Sequence, residues 1–282
     1  MDISEFIKNI TIETIIENTL ISIGIMIFSW WLLQNSLGRK ALLASRPRRN
    51  RLNPILAIMP LLFWYSILSG AFNLRSKIAG DLTQSRQILW DNTILCISAV
   101  LAVIFIIALV KFTFARGLKG FGLHTKSIFK DFAIGFITLL GTWPLLMLMF
   151  ILITVAGYLI KGNDYQMPQH QELEFLTNNP QASVRLLIAF TTIIIVPFFE
   201  EILFRGIFQS TIRNYLKRPW ISIFLSSIIF ATVHANMEHW PVIFVLGISL
   251  GYSYEKTGRL YPAIFIHALF NATSVIATLI QS

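Results

Sequence analysis

Cysteine and charge are what this chain of 282 residues has least of. Its one cysteine, Cys96, lies inside an apolar run, which excludes a disulfide framework and any cysteine metal site. Charged residues make up 13% of the chain against 55% hydrophobic, with a mean hydropathy of +0.67. That balance lies outside the range of soluble domains. Long polar stretches are missing too: the longest runs from about 161 to 181, too short for a soluble domain between the apolar runs. The first apolar run follows acidic residues (Asp2, Glu5) and no basic n-region, so no cleavable signal peptide is expected. No internal repeat or low-complexity tract stands out.

What is present is a series of apolar runs long enough to span a bilayer. They predict an all-α polytopic membrane protein with about eight transmembrane helices, near 12–35, 52–72, 90–110, 131–160, 184–212, 219–237, 239–254 and 260–280. An isolated segment in lipid must satisfy its own backbone hydrogen bonds, which makes each span a helix. Alternate connections differ sharply in positive charge. Those within 39–51, 111–130, 205–218 and 256–259 hold 17 of the 23 Lys and Arg. Positive connections stay in the cytoplasm, so both termini are expected outside. The net charge of +9 is thus a topology signal, and no nucleic-acid partner is implied. Arg46–Arg51 are expected to meet anionic lipid headgroups. An integral multi-pass protein of a prokaryotic plasma membrane follows, with membrane lipid as its surroundings and its oligomeric state left open.

Chemistry is unevenly distributed along the chain. Residues 1–130, with three spans and basic connections, read as lipid-facing scaffold, and residues 131–282 carry the polar core. Trp30, Trp31, Trp64, Trp90, Trp220 and Trp240 are expected in the aromatic belts. Trp143-Pro144 marks an expected kink, where a neighbouring helix must approach the freed carbonyl. Gly247 and Gly251 form a small-xxx-small pair suited to close helix packing. His124, His170 and His239 fall in connections and are expected at the surface.

Five polar residues stand out within apolar runs: Glu200, Glu201, His234, His267 and Asn271. A charge at mid-bilayer costs between roughly 2.5 and more than 10 kcal/mol, which makes such residues functional candidates. Glu201 and Arg205 are four apart on one helix face and can pair. Glu200 is rotated by about 100° and is left free. His234 follows Phe230 by one turn, and His267 and Asn271 share a face. At about 1.5 Å per residue, Glu200 lies roughly 20 Å from Arg213, His234 roughly 21 Å from Trp220 and Asn271 roughly 18 Å from Arg259. Three helices thus bring polar groups to one depth. The expectation is a buried polar active site within the bundle, wetted from the cytoplasmic side.

A carboxylate and an imidazole around one water form a general-base pair. A second histidine with a carboxamide supplies donors where an acyl oxygen gains charge. Glu200 and His234 for the water, with His267 and Asn271 for the oxyanion, complete a set for peptide hydrolysis that needs no cofactor. The same Glu200, His234 and His267 also match the ligand types of catalytic zinc, although no HExxH is present. Buried Glu and His serve proton relays as well, so a proton-coupled transporter or a non-enzymatic immunity factor is the rival class. The paired broken helices of a transporter are not evident.

Glu200-Glu201-Ile-Leu-Phe-Arg205, Phe230-Ala-Thr-Val-His234 and His267-Ala-Leu-Phe-Asn271 resemble the EExxxR, FxxxH and HxxxN motifs of the CAAX-protease and bacteriocin-processing family (CPBP, or Abi). The motifs stand in family order, and Pro197 before the glutamates suits the pattern. The resemblance covers about 184–280. It implies an intramembrane endopeptidase acting on membrane-associated or lipidated peptide substrates, in CAAX-type processing or in bacteriocin maturation and self-immunity. By the same resemblance Glu200 and His234 activate water and His267 and Asn271 hold the oxyanion. Glu201, Arg205 and Phe230 would then be structural support. The family has been labelled metalloprotease, but a glutamate mechanism needs no metal.

Overall fold

The computed structural model describes residues 12–78, 82–168, 171–178, 181–234 and 237–281. Ten helical units account for nearly all of it. They are α1 (Ile12–Gln34), α2 (Pro54–Ile78), α3 (Gln84–Thr113), α4 (Gly117–Phe121), α5 (Ile128–Lys161), α6 (Gln171–Asn178), α7 (Ala182–Leu216), α8 (Pro219–Val233), α9 (Trp240–Thr257) and α10 (Leu260–Gln281). No β-strand occurs among the described residues; the one extended feature is an isolated bridge between Asn50 and Phe114.

Among the described residues, five helices, α2, α3, α5, α7 and α10, are long and apolar enough to cross a bilayer. The eight predicted runs all reappear as helices, with two differences. The run at 219–237 ends as a helix at Val233, leaving α8 only 15 residues long. At 1.5 Å per residue that is about 22 Å, short of a hydrocarbon core of about 30 Å. The short helices α4 and α6 lie in connections that the hydropathy pattern left unassigned. Many large apolar side chains face outward, such as Leu62, Ile104 and Ile151, as lipid-facing surfaces require.

The core sits between α7, α8, α9 and α10, with α2 and α3 packed onto it. One apolar cluster runs from Leu52, Ala57 and Ile106 through Phe199, Leu203 and Phe230 to Leu250 and Ile266. Trp64 belongs here and not to an aromatic belt: its ring packs on Phe199 at 5.0 Å, and its indole N–H donates to Ser98 Oγ. Trp31 and Trp220 flank Tyr252, whose hydroxyl accepts from Trp31 Nε1 at 2.7 Å. At Pro144 helix α5 continues unbroken to Lys161. The missing side chain of Gly24 lets α1 close on the Pro144 ring and on the Leu140 carbonyl, the one that proline leaves without its helical donor.

Candidate active site

Helix α7 is not a uniform α-helix. Residues Thr191–Ile195 and Ile202–Gln209 adopt π-helical turns on either side of Val196–Glu201. In the first, the Val196 amide donates to the Thr191 carbonyl, five residues back. The next donor in that register would be residue 197, but proline has no N–H. The Thr192 carbonyl is therefore left without a helical partner, and Asn271 Nδ2 of α10 donates to it at 2.8 Å. Pro197 and Asn271 are coupled in this way through one carbonyl. π-Turns of this kind are common at functional sites.

Glu200 is the convergence point. Its Oε2 lies 3.6 Å from His234 Nε2 and 3.8 Å from His267 Nε2, and it is buried with no hydrogen-bond partner. Both rings are fixed from behind. His234 Nδ1 is 2.7 Å from the Phe230 carbonyl, and His267 Nδ1 is 2.9 Å from Glu201 Oε1. A carbonyl and a carboxylate only accept, so each Nδ1 carries the proton and each Nε2 is aimed at Glu200. The gaps exceed a hydrogen bond and suit a bridging water.

The Glu201 carboxylate is wholly buried, and its Oε1 accepts from Arg205 Nη1 at 2.8 Å as well as from His267. The predicted Glu201–Arg205 pair is therefore present, but Glu201 also orients His267. The Arg205 guanidinium carbon lies 4.2 Å from the centre of the Phe230 ring, which also packs against the rings of His234 at 4.5 Å, Phe204 at 5.1 Å and His267 at 5.7 Å. Phe230 thus fills the space between the buried cation and both imidazoles. Arg205 itself is fully buried, a member of this cluster and not of a cytoplasmic connection.

Below the cluster the bundle is closed by polar crosslinks that the motifs do not reveal. Arg205 Nη2 donates to the Gly247 carbonyl at 3.3 Å, and Gln209 Nε2 donates to the Gly251 carbonyl at 3.0 Å. Ser226 Oγ donates to Gln209 Oε1 at 3.3 Å. Tyr254, its hydroxyl 3.0 Å from Ser210 Oγ, donates to the Phe121 carbonyl at 2.9 Å. Arg213 Nε meets Glu255 Oε1 at 2.8 Å. Glu201, Arg205, Gln209 and Arg213 recur every four residues on α7, facing Gly247, Gly251 and Glu255 on α9. That spacing is readable in the sequence once the two helices are known to be paired.

A cavity of about 190 Å³ holds Glu200, His234, His267 and Asn271 in its wall. Its remaining lining includes Asn92 and Leu95 of α3, Leu173 of α6, Thr191 and Thr192 of α7, and Ser274 of α10. These residues lie on the far side of Glu200 from Arg213. Against the expectation of wetting from the side of the basic connections, polar crosslinks fill that side, and the cavity lining extends instead toward Leu173 of α6. A second cavity of about 110 Å³ reaches Glu200 and His234 from another direction, between apolar Leu61, Trp64, Phe199, Leu203, Phe204 and Val233.

The other histidines divide. His239 is buried, not at the surface, and its Nε2 donates to the Pro168 carbonyl at 2.8 Å. His124 is half-buried, and His170 lies outside the described residues. As to metal, the donor types at Glu200, His234 and His267 suit zinc, with each Nδ1 held as a metal-binding histidine requires. Among the described residues, however, no three His, Cys, Asp or Glu side chains are placed to hold an ion.

Residues 182–273, which contain every residue of this cluster, match the sequence model of the Rce1-like family, type II CAAX prenyl endopeptidase Rce1-like. YdiL of Bacillus subtilis (strain 168), provisionally named a membrane peptidase, is 32% identical over 108 residues, 36% of this chain and 44% of that protein. The membrane-embedded CAAX protease MroQ of Staphylococcus aureus (strain USA300) is 30% identical over 148 residues, 51% of this chain and 58% of that protein. The chain spans about half the length of these curated relatives. No solved structure gives a significant match.

Proposed function

We propose that this chain, whose residues 182–273 match the Rce1-like model, is an intramembrane endopeptidase of the CPBP family of membrane CAAX proteases whose base is Glu200. One observation carries the reading: two imidazole Nε2 atoms, each fixed through its Nδ1, face one buried and unpartnered carboxylate oxygen across gaps of 3.6 and 3.8 Å. A water held there donates one proton to Glu200 and the other to His234 Nε2. Its oxygen attacks the carbonyl carbon of the scissile amide as Glu200 takes the first proton. The oxyanion accepts from His267 Nε2–H and from the N–H of Asn271 that Thr192 does not use. Donation from Nε2 while Nδ1–H serves Glu201 makes His267 an imidazolium, and the Glu201 carboxylate faces that charge. Collapse of the tetrahedral intermediate breaks the C–N bond, and Glu200 returns its proton to the leaving amine.

Substrates by this reading are peptides associated with the membrane, lipidated ones included. The division of labour is that of the motifs: Glu200, His234, His267 and Asn271 act on the bond, while Glu201, Arg205 and Phe230 hold them. Glu200 supplies the base without a metal. A zinc mechanism would instead take Glu200, His234 and His267 as ligands.

The test is cleavage of a membrane-peptide library by purified wild-type protein and Glu200→Gln, with and without a strong chelator. Activity lost in Glu200→Gln and retained in chelator is the expected result. Loss in chelator, restored by zinc, would replace the glutamate mechanism by the zinc one. Cleavage by Glu200→Gln at the wild-type rate would remove Glu200 from the chemistry.

A further inference from the structure

The two ends of the bundle differ in charge and in permeability, and both differences bear on where substrate enters. At one end the basic connections meet. The Arg51 amide donates to the Thr113 carbonyl and the Ala115 amide to the Arg49 carbonyl. The Leu260 amide donates to the Gly122 carbonyl, and Arg259 pairs with Asp131 at 2.5 Å. Arg213 pairs with Glu255 at the same end. Arg39, Lys40, Lys111, Arg116, Lys119 and Lys126 add charge there with no acidic counterpart. At the other end Lys161 pairs with Glu238, and Arg75 pairs with Asp91 at 2.8 Å. An excess of Lys and Arg marks the cytoplasmic side, so the 162–178 end is extracytoplasmic.

Hydrolysis consumes one water for each bond cut, so Glu200 must connect to an aqueous phase. The route toward the basic end is blocked for roughly 20 Å, the length of α7 from Glu200 to Arg213. Arg205, Gln209, Ser226, Tyr254 and Arg213 fill it with buried side chains that are hydrogen-bonded to one another or to facing carbonyls. The apolar cavity beside Trp64 has no polar lining other than Glu200 and His234 and is a poor path for water. The larger cavity is different. It carries Asn92, Thr191, Thr192 and Ser274 along its wall and reaches Leu173 of α6.

We propose that the site takes a peptide segment presented at the extracytoplasmic surface of the membrane, entering between α3, α6 and α10 past Asn92, Leu173 and Ser274. The substrate class is then an exported or membrane-anchored peptide cut at its outer end. A cytosolic peptide has no path to Glu200. The identity of the ligand as a peptide rests on the proteolytic reading, but the direction of access does not.

The experiment uses the full chain in intact bacterial cells, with Cys96→Ser as the cysteine-free background. Single cysteines are placed at the cavity mouth (Ser274→Cys, and Leu173→Cys as an independent reporter), at the exposed outer position (Asp164→Cys) and at the exposed basic end (Lys126→Cys). A charged, membrane-impermeant thiol reagent is added before or after permeabilisation, and labelling is normalised to the denatured protein. The expected result is that Ser274→Cys, Leu173→Cys and Asp164→Cys label in intact cells as fully as after permeabilisation. Lys126→Cys should label only after it. Labelling of Lys126→Cys in intact cells, with Asp164→Cys protected, would overturn the orientation. Mouth cysteines that label only after permeabilisation, or in neither condition, would overturn the route. The expected pattern in a protein that cuts no peptide in detergent would remove the proteolytic reading and leave the route standing.

Discussion

Glu201 answers to two partners, and the single oxygen that serves both makes it the most consequential side chain outside the reacting set. Its Oε1 accepts from Arg205 at 2.8 Å and from His267 at 2.9 Å, in a pocket where both members of the ion pair are fully buried. Removing one member of a buried pair strands the other, at a cost of about 3–5 kcal/mol, whereas removing both can be close to neutral. Arg205→Leu is therefore expected to lower the thermal unfolding temperature in detergent more than the double variant Arg205→Leu/Glu201→Gln does. Activity should follow a different order, since the double variant also removes the negative charge that faces the His267 imidazolium and stays inactive. A double variant no more stable than the single would show that the pair is not the energetic unit described.

At the scale of the elements, two small residues of α9 let α8 and α7 pack closely, Gly247 against α8 and Gly251 against α7, and both lend their carbonyls to α7. A methyl group at Gly247 would sit 3.0 Å from Ser227 Cβ, and at Gly251 it would sit 2.7 Å from Gln209 Oε1. Overpacking of this kind costs about 1–3 kcal/mol. Gly251→Ala carries a further penalty, because displacing Gln209 leaves a buried amide unpaired. Both alanine variants should melt below the wild type, Gly251→Ala lower. Gln209→Ala in the Gly251→Ala background should recover part of the loss. Equal melting of the two single variants would assign the contact to packing alone.

The same elements show how much could be read in advance. Helix positions followed from hydropathy, and the Glu200, His234, His267 and Asn271 cluster from helical spacing and depth, because burial of charge leaves so few explanations. The lining of the cavity and the place of Trp64 depended on neighbours. Residues 201, 205, 209 and 213 lie on one face at helical spacing, yet nothing in a single sequence says that α9 lies against that face. The π-turn at Thr191 was equally hidden, since Pro197 alone does not reveal which carbonyl it frees or that Asn271 covers it.

Over the whole molecule, the site draws on helices on both sides of the proposed division at residue 130. Asn92 and Leu95 of α3 line the larger cavity and Trp64 of α2 lines the smaller one, while the Phe121 carbonyl of α4 accepts a hydrogen bond from the Tyr254 hydroxyl and its ring packs on Gly206. Leu52, Val110 and Phe114 share one apolar cluster with Ile207 and Leu260. We therefore propose that residues 1–130 act as a scaffold that completes the core formed by 131–282. Apolar burial between helices is worth little where lipid can replace it, so the association rests on close packing and on buried polar contacts. Expressed alone, 131–282 should reach the membrane but stay inactive and sensitive to added protease. Co-expression of 1–130 as a separate chain should restore both activity and protection. Full activity of 131–282 alone would mean that the cavity wall from α3 is dispensable and that Asn92 has no part in admitting substrate.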